Sequence, residues 1–216
     1  MTKLIIFEKI LDQLLKVNKF QDYVNRKSNI KSGIKVVYHS NNTTIDEVFR
    51  EYKFNDIQPD DIVLDIGANV GGFSLFVSKM VNKVYAVEPE LTSILEQNIK
   101  LNNINNIVVL NTSFGNIVNW SGTSRVVDGN TLTELIQLCG GHVDFLKCDC
   151  EGGEWIITSN ELKRIRRIEI EVHNLDRNRN FNDFLKILDE AGFEYTYKIS
   201  KETDMLVHAT RKKEKT

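Results

Sequence analysis

The sequence predicts an α/β fold, a mostly parallel sheet with helices on both faces. Three observations predict it. From residue 60 onward, short apolar runs alternate with amphipathic stretches of helical length, the pattern of βαβ units. A glycine-rich turn, Gly67-Ala68-Asn69-Val70-Gly71-Gly72, joins the first apolar run to the first amphipathic stretch. The last two runs have no helix between them, which predicts an antiparallel hairpin at the sheet edge.

The elements follow in order. Ile62-Val63-Leu64-Asp65-Ile66, after Pro59-Asp60-Asp61, reads as the first strand, with a helix from Phe73 to Met80 behind it. Val84-Tyr85-Ala86-Val87 is the second strand, before a helix from Leu91 to Leu101, and Ile107 to Leu110 is the third. A helix over Leu132 to Cys139 leads to the fourth strand, Val143 to Cys148. Ile165 to Val172 is the fifth, and a helix spans Phe181 to Ala191. Glu194 to Lys198 and Met205 to Ala209 form the closing hairpin. Upstream, Leu4, Phe7, Ile10, Leu11, Leu14, Leu15 and Val17 fall at helical spacing and form one apolar stripe. That stripe suits packing on the chain's own domain, or a homodimer contact. Residues 25–35 are polar, contain Gly33 and read as a loop. Ile34 to Tyr38 and Thr43 to Phe49 fit either a hairpin or a strand followed by a helix. The expected organisation is an N-terminal helical or cap extension over residues 1–55, one ligand-binding α/β domain over 56–210, and a charged tail over 211–216.

Bulk composition bounds the function. The 216 residues are 41% apolar and 27% charged, ordinary for one domain that buries its own core. A formal net charge of -2 does not call for nucleic acid or an anionic membrane as partner, and no aromatic-basic interleaving signals RNA. Cys139, Cys148 and Cys150 are too few and too irregular for a disulfide framework, which points to a reducing compartment. Charges interrupt the apolar N-terminal run, which excludes it as a signal peptide or membrane span, so a cytoplasmic protein is expected.

The ligand site is expected at the carboxyl ends of the strands. Gly67 permits a sharp turn and close backbone approach, and the following helix points free N–H groups into the same crevice. Asp65, Gly67, Asn69 and Gly71 form this loop, and Glu88 with Pro89 closes the second strand. A carboxylate at Glu88 is placed to accept hydrogen bonds from both hydroxyls of a ribose. Spacing alone does not separate NAD from S-adenosylmethionine (SAM). Three details favour SAM over a nicotinamide-dependent dehydrogenase. The motif begins on the acidic Asp65, it lacks the G-x-G-x-x-G triplet that admits a pyrophosphate, and carboxylates suit SAM's cationic amino and sulfonium groups.

With the region after the fourth strand included, the chain resembles the FkbM family of methyltransferases from about Glu47 to about Asn174. Asp60 to Ser74 is similar to that family's first motif, and Val84 to Glu90 with Asn98, Leu101 and Asn102 to its second. Thr131-Leu132 also fits. Val143-Asp144-Phe145-Leu146-Lys147-Cys148-Asp149-Cys150-Glu151-Gly152-Gly153-Glu154 resembles its lysine-aspartate-glutamate-glycine signature, and Glu169-Ile170-Glu171-Val172-His173 its fifth-strand motif. Cys148 and Cys150 stand where aliphatic residues are usual, and Asn116 to Val127 is short for the hairpin that relatives place there. The resemblance implies a Rossmann-like class I methyltransferase fold with a seven-stranded sheet. It also implies SAM as methyl donor and O-methylation of a sugar, glycan or small-molecule natural-product hydroxyl.

Methyl transfer needs the acceptor held in line with the sulfonium methyl, and a weakly acidic hydroxyl also needs its proton removed or a metal to acidify it. Strand alternation puts Lys147 and Asp149 on one face and Cys148 and Cys150 on the other. Asp149 therefore emerges beside the cofactor crevice, where it could position the methionine end of SAM, bind a metal or act as base. Glu151 is a further catalytic candidate beyond it, with Glu154 next; the alternative is that both merely favour a helix start. His173 closes the fifth strand and is a natural general base, with Glu169 or Glu171 of the same parity to orient it. By fold analogy Ser113 and Phe114 lie near the adenine edge, with Phe114 stacking on the ring or filling core. The cysteines read as small buried apolar residues, and no metal site is assigned. Alternatives to O-methylation are an RNA or protein methyltransferase and a SAM-binding protein without catalysis.

Overall fold

The computed structural model describes residues 34–36, 44–120, 123–175, 177–200 and 202–212. The amphipathic stretch at 3–24, and with it the expected dimer contact, lies outside them. Helix α1 (Thr44–Glu51) leads into strand β1 (Ile62–Ile66), helix α2 (Gly72–Val77), β2 (Lys83–Val87), α3 (Thr92–Leu101) and β3 (Ile107–Leu110). A hairpin of β4 (Ile117–Trp120) and β5 (Thr123–Val126) precedes α4 (Leu132–Leu138) and β6 (Phe145–Cys148). A single 3₁₀ turn (Gly153–Ile156) and α5 (Ser159–Leu162) lead to β7 (Arg167–His173), α6 (Phe181–Glu190), β8 (Phe193–Ser200) and β9 (Asp204–Arg211).

Seven strands form one sheet in the order β3-β2-β1-β6-β7-β9-β8. The pairs β1–β2, β2–β3, β1–β6 and β6–β7 are parallel, and β9 runs antiparallel to both β7 and β8. The strand order reverses between β1 and β6, and that switch point opens the crevice in which such sheets bind ligands. This is the Rossmann-like class I methyltransferase architecture, with the C-terminal antiparallel hairpin in place.

Local signals explain the element ends. Thr131 and Thr158 each cap a helix through a reciprocal capping box, with Glu134 and Glu161 respectively. Asn180 caps α6 through the amide of Asn182. The ambiguous 43–49 segment is helical over Thr44–Glu51. The short 116–127 segment does make a hairpin, with Ile117 opposite Val126 and Trp120 opposite Thr123.

The sheet buries an apolar layer on each face. On one side Leu64, Ile66, Leu146, Ile168 and Ile170 pack with Leu132 and Leu135 of α4 and Phe184 and Leu188 of α6. On the other, Val63, Val84 and Phe145 pack with Phe73 and Val77 of α2 and with Val48 and Tyr52. Phe54 joins this second layer, its ring 5.6 Å from Phe73 and 4.8 Å from Phe76. No helix among the described residues is long and apolar enough to cross a membrane.

Candidate active site

Strand alternation sends Asp65, Lys147, Glu169 and His208 to the face beneath α1. The registers set them side by side: Asp65 opposite Lys147, Lys147 opposite Glu169, Glu169 opposite His208. A buried row of ionisable groups thus crosses four adjacent strands. Such a row survives in a low-dielectric layer only if its members pair, and they do. Glu169, fully buried, accepts from Arg167, from His208 at 2.5 Å and from the Lys53 amide at 3.0 Å. Glu169 is consumed by these partners and does not orient His173, contrary to the expectation from parity.

Asp65 is likewise fully buried. One oxygen accepts from Ser74 at 2.6 Å, and the other faces the Lys147 ammonium at 3.2 Å. The carboxylate therefore does not present itself to a cationic ligand, as the motif alone had suggested. It is the buried counter-ion of Lys147. That ammonium donates to the Gly67 carbonyl at 2.9 Å and stands 3.8 Å from Asp149. Burial alone would favour loss of its proton, but the Asp65 and Asp149 charges outweigh that and raise its pKa above the ordinary lysine value. Lys147 thereby clamps the glycine loop to the end of β6.

The loop itself is held from three sides. Gly67 and Ala68 donate to the Val87 carbonyl at 3.0 Å, joining the loop to the end of β2. Asn69 adopts a left-handed backbone, φ 54°, and Gly71 caps α2 at φ 96°. The buried Asn98 side chain donates to the Val70 carbonyl at 2.7 Å. Glu88, nearly buried, accepts from the Asn69 amide on one oxygen and from the Glu90 and Leu91 amides on the other. Burial raises its pKa, against the lowering effect of the Leu91 and Asn69 amides. One oxygen is thus filled by two donors. The remaining lone pair on the other leaves room for one ribose hydroxyl rather than the two expected. Pro89 is half-buried between this carboxylate and α3.

The acceptor side is built by the ends of β6 and β7. Asp149 is half-buried and accepts from the Tyr52 hydroxyl at 2.7 Å. Burial, then the Asp149 charge, raises the Tyr52 phenol well above its ordinary value, so it stays a neutral donor. His173 is buried, with Nε2 3.9 Å from both Asp149 and Glu151. Its Nδ1 meets Glu154 at 3.3 Å. Burial opposes charge on this ring, but the hydrogen bond and charge of Glu154, then the charges of Asp149 and Glu151, raise its pKa to about 10. The surrounding carboxylates favour the protonated form of the ring, which weighs against the general-base role expected for it. Burial and the Asp149 charge lift Glu171 to about 7, so the acidic cluster holds a proton near neutrality.

Glu154 does lie in the first turn of the 3₁₀ segment, but it is not a surface charge. It is fully buried and accepts from the amides of Cys150 at 2.8 Å and Gly152 at 2.9 Å as well as from His173. Trp155 donates its indole N–H to the His173 carbonyl at 2.6 Å and stacks on Phe181. Phe114 is 3% exposed and packed in the core with Leu132 and Ile157, so it fills core and offers no free face to an adenine ring. Ser113 is buried next to it, 3.5 Å from the Gly115 carbonyl. The three cysteines are unbridged, with the Cys148 and Cys150 sulfurs 3.7 Å apart. Tyr52 was not foreseen from the sequence, and parity suggested only an orienting role for Glu171. No local signal ties Tyr52 to a carboxylate far along the chain.

The profile of the TRM5/TYW2 methyltransferase domain matches residues 21–136, more than half of the chain. The chain belongs to this family. No curated protein sequence matches it. Among solved structures, the human methyltransferase 10 domain containing protein superposes with a TM-score of 0.55 at 15% identity, covering 91% of this chain and 95% of that one. An rRNA methylase from Streptococcus thermophilus gives 0.53 at 14% identity, covering 72% and 89%. The fibrillarin pre-rRNA processing protein of Methanococcus jannaschii gives 0.51 at 19% identity, covering 74% and 71%. These likenesses show the fold. This TRM5/TYW2 domain is a SAM-dependent methyltransferase. The family match ends before β6, so the FkbM-like signature at 143–154 lies beyond it.

Proposed function

We propose that this domain transfers the methyl group of SAM to an RNA nucleotide. Membership in the TRM5/TYW2 family carries the reading. The cofactor lies over the loop from Gly67 to Gly71, with Glu88 accepting a ribose hydroxyl and Ser113 bordering the adenine end. Asp65 and Lys147 act from beneath as positioning residues. Asp149, Glu151 and His173 line the acceptor side, joined by Glu171. Holding the acceptor atom in line with the sulfonium methyl then supplies much of the acceleration. Tyr52, just beyond α1, bounds this face through Asp149, and the unbridged cysteines support a cytoplasmic setting.

A second reading is O-methylation of a small-molecule or glycan hydroxyl. The FkbM-like signature supports it, because its residues Lys147, Asp149, Glu151 and Glu154 build the acceptor side. That side is acidic, which suits a neutral hydroxyl compound and repels phosphate.

The test uses SAM labelled on its methyl group, offered with unmodified RNA transcripts and, separately, with a panel of hydroxylated small molecules and glycans. Label in nuclease-digestible material supports the RNA reading. Label confined to the small-molecule panel moves the protein to the second reading. Label found only on a protein pool, offered as a third acceptor, would sink both. Saturable SAM binding with no transfer to any acceptor would make it a binding protein. Glu88→Ala is expected to weaken SAM binding by calorimetry about 10- to 150-fold, since charge-assisted hydrogen bonds contribute roughly 1.5–3 kcal/mol. An unchanged affinity would remove Glu88 from the cofactor site.

A further inference from the structure

We propose that Asp149, Glu171 and His173 bind one divalent metal ion on the acceptor side of the crevice. One ligating atom from each of the three residues lies within 4.8 Å of the others. Two ligands each about 2.1 Å from an ion stand roughly 3–4 Å apart, so small rotamer shifts close the set around a cation.

The residues come from two neighbouring strand ends. Glu171 and His173 share the parity of β7, and Asp149 extends β6 beside Glu171, past the Cys148–Ile170 pair. The fold therefore delivers them together without any loop having to close.

The histidine supplies the second observation. Its side chain is 8% exposed, yet Nε2 makes no hydrogen bond among the described residues and points between two carboxylates, 3.9 Å from each. Its other nitrogen, Nδ1, is engaged by the buried Glu154. A carboxylate on one imidazole nitrogen, with the other aimed at an acidic pocket, is the arrangement that orients a metal-binding histidine. Glu154 is itself fixed by the Cys150 and Gly152 amides, which makes the ring's direction rigid.

Two carboxylates and one imidazole favour a manganese- or iron-like divalent ion. Such an ion, with open positions toward the acceptor, lowers the pKa of a hydroxyl or water that it binds. The site does not depend on which acceptor is used. The neighbouring Cys148, Cys150 and Glu154 set is not the metal site, because Glu154 is already filled by backbone amides and His173.

The experiment titrates Mn²⁺ into purified full-length protein, with and without saturating SAM, and reads bound ion by electron paramagnetic resonance. One bound Mn²⁺ per chain is expected, retained when SAM is present. Glu171→Gln and Asp149→Asn should each weaken it on the order of tenfold or more. Glu202→Gln, an exposed carboxylate in the β8–β9 turn paired with Arg177, should leave it unchanged. Circular dichroism and SAM binding establish that each variant is folded. A folded wild-type protein that binds no Mn²⁺, or binding that survives both substitutions, overturns the proposal. Displacement of Mn²⁺ by SAM also overturns it, by making these carboxylates the counter-charge of the cofactor's ammonium group.

Discussion

Gly67→Ala is expected to abolish measurable SAM binding and to lower stability by roughly 2–5 kcal/mol, the sum of left-handed backbone strain and overpacking. Gly67 sits at φ 75°, and a Cβ there would lie 1.8 Å from the Asp149 carbonyl oxygen and 2.8 Å from its carbon. Both atoms are backbone, so no rotamer change relieves the clash. The loop or the end of β6 must move, and those two segments form the two halves of the crevice. Gly140→Ala provides the control. Gly140 has φ 90° but nothing within 4 Å of its would-be Cβ, so it should cost only the backbone term, about 1–2 kcal/mol. Urea denaturation of the two variants, with calorimetric SAM titration, isolates the contact. Equal losses for the two, or wild-type SAM affinity in Gly67→Ala, would show that the close approach of the β1 and β6 ends is not what the glycine serves.

Lys147→Met should destabilise the protein by about 3–5 kcal/mol, the cost of leaving a buried charge without its partner. The uncompensated charge is Asp65, fully buried, with Ser74 as its hydrogen-bond donor. Methionine fills the same volume, so a packing defect is not the main effect. The loop should also loosen, because the Gly67 carbonyl loses its donor. Adding Asp65→Asn removes the stranded charge, and the double variant should recover part of the loss. Chemical denaturation of the four proteins in this cycle reads the coupling directly. Additive losses would mean that Asp65 and Lys147 do not act as a pair, whatever their separation.

How much of this was legible beforehand can be judged element by element. The strands at 62–66, 84–87 and 107–110 were visible because buried parallel strands are near-continuous apolar runs. The helices at 132–138 and 181–190 carry their own start signals, Thr131 with Glu134 and Asn180, within one turn of the residues they cap. Gly67, Asn69, Gly71 and Glu88 were legible for the same reason: a turn needing positive φ and an acid ending the next strand are local features. Parity likewise paired Lys147 with Asp149 and Glu171 with His173 within their own strands, while only the β6–β7 register set Asp149 beside Glu171.

What those residues do was another matter. A carboxylate reads the same in sequence whether it meets a ligand or a buried lysine. Asp65 and Glu169 turned out to be spent on Lys147, Arg167 and His208, all brought by other strands. His173 is pushed toward its cationic form by the Glu154, Asp149 and Glu151 carboxylates around it, and Phe114 became core because α4 and the 150s loop cover it. Tyr52 gained a role through Asp149, which only the packing of α1 on the sheet supplies. The sequence by itself determined the fold class, the loop and the faces, because period, turn chemistry and capping are decided within a few residues. The tertiary structure alone decided the partners and charge state of each ionisable group, because burial and Coulomb interactions depend on distance in space rather than along the chain.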